Sequence, residues 1–188
     1  MAYTISKIWF YPVFRILIKR TYGIENIPNN SNFIIVSNHE KLIDPLFIVY
    51  LMLKRLNRKV HFLATPTWWF LGEKICRKWA GCIPLFNPKQ AYNEMKDHIK
   101  KGNIVGIFPE GHLDEKVRYP KTGAVRLALE TKTPILPVGI KSSYWPFSTT
   151  IRVGKLIYLK KKNIKEQAFQ LIDYAYQLKI GRLKKRIC

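Results

Sequence analysis

The chain has 188 residues, 47% of them hydrophobic, which excludes a disordered protein and suits one ordinary domain rather than two. Lys and Arg number 33 against 12 Asp and Glu, a net charge of +21 that directs the search for partners to anionic membrane, nucleic acid, or an acidic protein or substrate. Three cysteines, Cys76, Cys82 and Cys188, are odd in number and contain no CxxC pair, so they read as reduced thiols in a cytosolic protein and not as a disulfide framework.

In chain order, residues 5–20 read as a helix, bent or restarted at Pro12. Its apolar residues Ile5, Phe10, Val13, Phe14, Leu17 and Ile18 spread around the wheel, while Lys7, Arg15, Lys19 and Arg20 lie mostly towards the ends. Such a helix is buried somewhere, in protein or in lipid. Lys19 and Arg20 can snorkel and Trp9 lies near one end, which suits lipid. The apolar runs 8–18 and 45–53 both fall short of the roughly 18 to 20 residues of a spanning helix. The N-terminus has no small-residue cleavage site after its apolar part, which argues against a removable signal peptide. Any membrane contact is therefore expected to be peripheral or partly immersed.

After the turn NIPNNSN (26–32) the pattern alternates. Strands are predicted at 33–37, 59–64, 82–86, 103–108, 135–140 and as a pair around 150–159. Helices are predicted at 45–56, 67–80, 89–101, 121–131 and 164–180. This alternation predicts an α/β fold with a mostly parallel central sheet flanked by helices. In such sheets, sites gather where strands end at their carboxyl termini.

Two strand ends carry chemistry. The first is FIIVSNHEKLIDP (33–45), with His39 in the loop and Asp44-Pro45 opening a helix. On one continuous helix His39 and Asp44 would lie about 140° apart; a turn between them lets them meet. A carboxylate at a helix start then either caps that helix or orients the histidine as a general base for a hydroxyl. The second is NIVGIFPEGHLDE (103–115), which places Glu110 and Gly111 at the sheet's edge or simply ends the strand. A third segment, TPILPVGI (133–140), is a strand carrying Pro137.

NHEKLIDP, GCIPLF, FPEG followed by KTGA, and TPILPV stand in the order and approximate spacing of the four sequence blocks of glycerolipid acyltransferases. Over roughly residues 5–160 the chain resembles the lysophosphatidate acyltransferase family, enzymes that acylate 1-acylglycerol 3-phosphate in phospholipid biosynthesis. The resemblance implies a glycerol-3-phosphate acyltransferase-like αβ domain over 26–188, preceded by an N-terminal membrane-associating helix within 1–25. It implies that His39 takes the proton from the acceptor hydroxyl as that oxygen attacks an acyl thioester, with Asp44 supporting His39 and no acyl-enzyme intermediate. Glu110 and Gly111 match the acceptor-binding block, and Pro137 the block linked with the acyl donor or with shaping the site. No cofactor or metal is implied; acyl-CoA or acyl-acyl carrier protein is the cosubstrate. The implied location is the cytoplasmic face of the membrane, peripheral or monotopic.

The departures concern the acceptor. Asn87 stands where the second block usually has arginine, and His112, Leu113 and Asp114 follow FPEG where the family usually continues with TRS. A phosphate wants cationic partners, and Lys89, Arg118, Lys121 and Arg126 are near enough in sequence, Lys121 foremost because KTGA matches the segment after the third block. Another lysolipid or hydroxylated lipid is the alternative acceptor. Residues 141–188 add twelve Lys and Arg against Glu166 and Asp173 alone, including KKK (160–162) and RLKKR (182–186). Such clusters suit an anionic membrane surface, at about 1 kcal/mol per basic residue, or the acidic acyl carrier protein. Trp68, Trp69, Phe70, Tyr144 and Trp145 divide between core and interfacial anchors.

A nucleic-acid-binding module is the main rival, but zinc-finger spacing, an RNP-like strand and a helix-turn-helix signature are all missing, so no nucleic-acid partner is expected. A metal hydrolase built on His39, Asp44, Glu110 and His112 lacks HExxH and other tight ligand spacings. A catalytically silent lipid-binding relative is opposed by the intact His–Asp pair.

Overall fold

Alternate residues of the central strands serve two separate cores. A computed structural model describes residues 6–29, 31–65, 72, 75–111, 120–161 and 163–182. Ile35 with Phe33 joins the core on one face, and Ile34 with Val36 joins the core on the other, as the two-residue period of a strand requires. Helices α1 (Ser6–Leu17) and α2 (Asp44–Leu56) cover the first face; α3 (Pro88–Lys100), α4 (Gly123–Thr131) and α5 (Ile164–Ile180) cover the second.

The sheet has seven strands, β1 (Ile18–Tyr22), β2 (Ile34–Ser37), β3 (Val60–Ala64), β4 (Cys82–Pro84), β5 (Ile104–Ile107), β6 (Ile135–Lys141) and β7 (Thr149–Val153). Their order is β1-β7-β6-β2-β5-β3-β4. Every adjacent pair is parallel except β6 with β7. β2 is therefore central, between β5 and β6, with Val36 opposite both Ile107 and Pro137.

Three readings change. The N-terminal helix ends at Leu17, and residues 18–22 are a strand rather than helix. IKRTY is rich in β-branched and aromatic residues, and β7 supplies a partner that local periodicity could not show. The expected strand pair near 150–159 is a single strand, β7, followed by one isolated bridge between Ile135 and Ile157. Of the expected helix 67–80, the described part is a π-helical segment, Ile75–Ala80. Helix α1 runs through Pro12 and divides its apolar residues. Phe10 and Phe14 enter the core, stacked at 4.2 Å, and Phe14 meets Phe47 edge-on at 5.5 Å, while Ile8, Val13 and Ile16 face outward. No helix among the described residues is long and apolar enough to cross a membrane.

Pro137 in an interior strand leaves the pairing with β2 intact. Its carbonyl accepts from the Gly154 amide at 2.8 Å, just past the end of β7, and the missing N–H lies on that same side, so the ladder to β2 is untouched. Two residues on, Gly139 is where α5 rests on β6. A Cβ there would lie 2.3 Å from the Lys179 amide nitrogen and 2.6 Å from the Ala175 carbonyl, both backbone. Gly139→Ala should therefore lift α5 from the sheet and cost about 1–3 kcal/mol, read as a lower urea midpoint with an unchanged slope. A variant as stable as the parent would mean that α5 is not seated this closely.

Candidate active site

The strand β2 ends at Ser37, and the next residue keeps the sheet going with its side chain. The buried Asn38 amide donates to the Ile140 carbonyl and accepts from the Ile140 amide, each at 2.8 Å. The side chain thus takes the place of a strand partner, and the main chain is free to turn away from β6.

That turn is closed by Asp44, which is 0% exposed. Its Oδ2 accepts from the backbone N–H groups of Glu40 at 2.7 Å and Lys41 at 2.9 Å, and lies 3.4 Å from His39 Nδ1. Asp44 does not cap its own helix. The cap residue is Ile43, without a side-chain bond, and the carboxylate reaches back to the preceding loop. Of the two sequence readings, orientation of the histidine matches this geometry. The His39 ring stacks on Phe108, centroids 4.3 Å apart, so it is held at its edge by Asp44 and on its face by the end of β5.

Glu110 is 7% exposed, and both its oxygens are engaged: Oε1 by the His39 backbone N–H at 3.0 Å, Oε2 by the Tyr176 hydroxyl at 3.0 Å. Burial pushes its carboxyl above the ordinary glutamate value, against the opposing pull of those two donors. The geometry makes Glu110 a bridge from the histidine loop to α5. A second bridge runs alongside it, an ion pair between Glu40 and Lys179. Gly111 takes the left-handed conformation, φ +70°, and a Cβ there would lie 2.8 Å from both Cε and Nζ of Lys121. The lysine side chain therefore lies over the glycine, and the Lys121 amide donates to the Pro109 carbonyl at 2.8 Å.

His39 stands at the edge of a cavity of about 870 Å³ between α2, α3, α4 and the carboxyl ends of β3 and β5. Its wall is mostly apolar, with Leu42, Leu46, Val49, Phe62 and Met95 among the lining residues. Lys89, Lys121 and Arg126 also line it. Among the described residues, no group of three or more His, Cys, Asp or Glu side chains is placed to hold a metal ion.

The structure thus gathers His39, Asp44, Glu110, Gly111, Lys121 and Lys89 around one opening. It does not bring Pro137 there: that residue sits under α5, where a Cβ on Gly154 would meet its Cγ at 2.9 Å and Tyr174 at 3.0 Å. Arg118, His112, Leu113, Asp114, Trp68, Trp69 and Phe70 lie outside the described residues. Asn87 has a definite task, since its Oδ1 caps α3 by accepting from the amides of Lys89 and Gln90. Sequence reasoning passed over Asn38, Tyr176 and Lys179. Asn38 leaves a signal, a lone amide directly after an apolar strand; the other two sit on α5, far along the chain from anything they touch.

A family model described as Acyltransferase matches residues 19–141. The 1-acyl-sn-glycerol-3-phosphate acyltransferase of Borreliella burgdorferi is 32% identical over 129 residues, covering 62% of this chain and 48% of the relative. The Bacillus subtilis enzyme of the same name is 29% identical over 128 residues, covering 63% and 60% respectively. The alignments thus span about half to three-fifths of these relatives' own lengths. PlsC, the 1-acyl-sn-glycerophosphate (LPA) acyltransferase of Thermotoga maritima, shares the fold. Its crystal structure aligns with a TM-score of 0.66 at 22% identity, over 95% of this chain and 78% of that one. Since the family match runs over more than half of the sequence and takes in both strand ends that build the site, the chain belongs to the acyltransferase family.

Proposed function

We propose that this protein transfers a fatty acyl group from an acyl thioester, of CoA or acyl carrier protein, to the free hydroxyl of a lysophospholipid. The acceptor proposed first is 1-acylglycerol 3-phosphate, which would give phosphatidate. The observation that carries the reading is the His39–Asp44 pair at 3.4 Å on the edge of an apolar cavity. A proton on Nδ1, facing Asp44, leaves Nε2 with a free lone pair for a hydroxyl. His39 then takes the hydroxyl proton as the oxygen attacks the thioester carbonyl. The tetrahedral intermediate collapses to the ester and expels a thiolate, which recovers the proton from the imidazolium. Asp44 holds the ring and stabilises that imidazolium.

A direct transfer also suits the cysteine beside the cavity. Burial pushes the Cys82 thiol above its ordinary value, so it is protonated and a poor nucleophile. The cavity falls within the roughly 300–1,000 Å³ of ordinary ligand sites, and its apolar wall suits an acyl chain. Lys121, Lys89 and Arg126 supply positive charge for a phosphate without the two arginines usual in the family. Glu110 acts here as a positioning residue that fixes the His39 backbone. The +21 net charge supports work at an anionic membrane surface, on its cytoplasmic face. A second reading, an acceptor lacking the phosphate, is favoured by Asn87, which serves as a helix cap where the family usually has arginine.

Three measurements follow from these roles. Replacing His39 with Ala should lower kcat/KM for thioester-dependent acylation about 10²–10⁴-fold while the melting curve stays cooperative; wild-type turnover in that variant would remove His39 as the base. Lys121→Ala should act mainly on KM for 1-acylglycerol 3-phosphate, by about tenfold or more, the worth of one hydrogen bond to a charged group. If a neutral acceptor suffers the same loss, Lys121 does not read the phosphate and the second reading gains.

Glu110 gives a pH signature. Its folded-state value is raised, so the folded protein holds this proton more tightly than the unfolded chain. Ionisation consequently costs stability as pH rises from the ordinary carboxylate range through the raised value. Gln at 110 can keep the bond from the His39 N–H through its oxygen and donate its NH2 to the Tyr176 hydroxyl oxygen, the second bond reversed, without the charge. Urea titrations should therefore show Glu110→Gln gaining on the parent between acid and neutral pH. A stability difference that is flat with pH would mean that the carboxyl is not raised.

A further inference from the structure

We infer that the loop joining β6 to β7, residues 142–148, is an aromatic anchor that seats the carboxyl edge of the sheet on an anionic bilayer. The inference rests on the reading above that the acceptor is a membrane lipid, and it names the surface that meets that membrane.

The loop sequence SSYWPFS turns its large side chains outward. Tyr144 is 58% exposed, Trp145 78% and Phe147 62%. Three aromatic rings in four residues, all in water, is a costly arrangement for a loop with nothing to bind. The backbone is unusual too. Phe147 has φ +53°, and the other two non-glycine residues at positive φ among the described residues, Asn57 and Lys132, are helix C-caps, where that conformation has a structural use. At Phe147 it points an aromatic ring to solvent, a strain expected where presentation matters.

The loop is nonetheless firmly built. Ser143 accepts from the Trp145 amide at 3.1 Å, the Ser148 hydroxyl bonds the Trp145 carbonyl, and Thr149 Oγ1 both accepts from the Ser143 amide at 3.0 Å and donates to its carbonyl at 3.1 Å. The rings are thus held ready, and ordering them at an interface costs little.

The surroundings point to one partner. The Phe147 amide donates to the Ile16 carbonyl at 2.7 Å and the Ser148 amide to the Leu17 carbonyl at 3.3 Å, joining the loop to the end of α1. That helix leaves Ile8, Val13 and Ile16 exposed, so apolar surface continues from the loop along α1. Lys41, two residues from His39, places Nζ 5.1 Å from the Tyr144 ring centre. Leu42 and Leu46 line the cavity and are themselves exposed. Loop, helix end and cavity mouth therefore share one edge of the sheet. Residues 6–22 and 141–153 contain no Asp or Glu and carry Lys7, Arg15, Lys19, Arg20, Lys141 and Arg152. Exposed aromatic rings with Lys41 beside them, on segments that are basic and free of acidic residues, match the headgroup region of an anionic bilayer. An acidic protein would account for the cations but not for the indole and phenyl rings.

The test uses the full chain and vesicles of phosphatidylcholine containing phosphatidylglycerol. Replacing Trp145 and Phe147 together with Ala should weaken partitioning by about tenfold for each ring, with the thermal melt unchanged because both side chains are exposed. Trp145→Phe should keep most of the binding. Vesicles with brominated acyl chains should quench the parent's fluorescence more than that of Trp145→Phe. Transfer to a short-chain acceptor dissolved as monomer should be the same in the parent and the double variant. If the double variant partitions like the parent, or if it loses binding to acyl carrier protein or to itself while vesicle binding stays, the anchor is overturned. If vesicle binding falls as expected but the parent transfers no acyl group, the anchor stands and the transfer reading falls.

Discussion

A buried carboxylate organises this site. Asp44 is shut off from water, and one of its oxygens gathers two backbone amides and a histidine nitrogen. Burying a charge is costly unless donors replace its hydration, so the loop of residues 39–43 is bound to fold around the aspartate. The same contacts that make the burial tolerable also fix His39. Removing the carboxylate would strand two amide donors and release the ring together, which ties the loop's stability to the alignment of His39.

The loop is held from three further directions. Asn38 fastens the end of β2 to β6, Glu110 connects the His39 backbone to Tyr176, and Glu40 pairs with Lys179. Two of these three reach α5, which rests on β6 at Gly139 so closely that no side chain fits between them. The C-terminal helix thus holds the histidine loop, although none of its residues lines the cavity. Its seat on the sheet can vary little without moving the histidine.

The alternation of strands and helices was legible because each central strand is short, apolar and ended by turn residues. The His39–Asp44 meeting was legible because Asp-Pro marks a helix start; the direction of the Asp44 side chain was not, since capping forward and bonding backward leave the same sequence. β1 was hidden because its strand character comes from β7, some 130 residues away. Tyr176 and Lys179 were hidden for a similar reason: an amphipathic helix shows which face is buried but not which polar group meets a distant carboxylate. Pro137 is a subtler case. It falls in a family-like block, and the structure places it beside the end of β7, away from the residues that line the cavity.

Strand order explains why the cavity mouth and the aromatic loop share one edge. β2 lies between β5 and β6, both parallel to it, so the residues after all three emerge side by side. β5 supplies Phe108 and Glu110, β2 supplies His39, and β6 supplies the aromatic loop. The one antiparallel step, β6 to β7, lets that loop be short, because a hairpin needs no crossover helix. β1 then starts at the same edge, parallel to β7 and so opposed to β2, and it brings the end of α1 against the loop. A fully parallel sheet would have sent the chain from β6 back over a helix and left no compact projection at the edge that carries His39. The reversal of β7 and β1 against the other five strands is what brings an exposed apolar rim to the edge where the cavity opens.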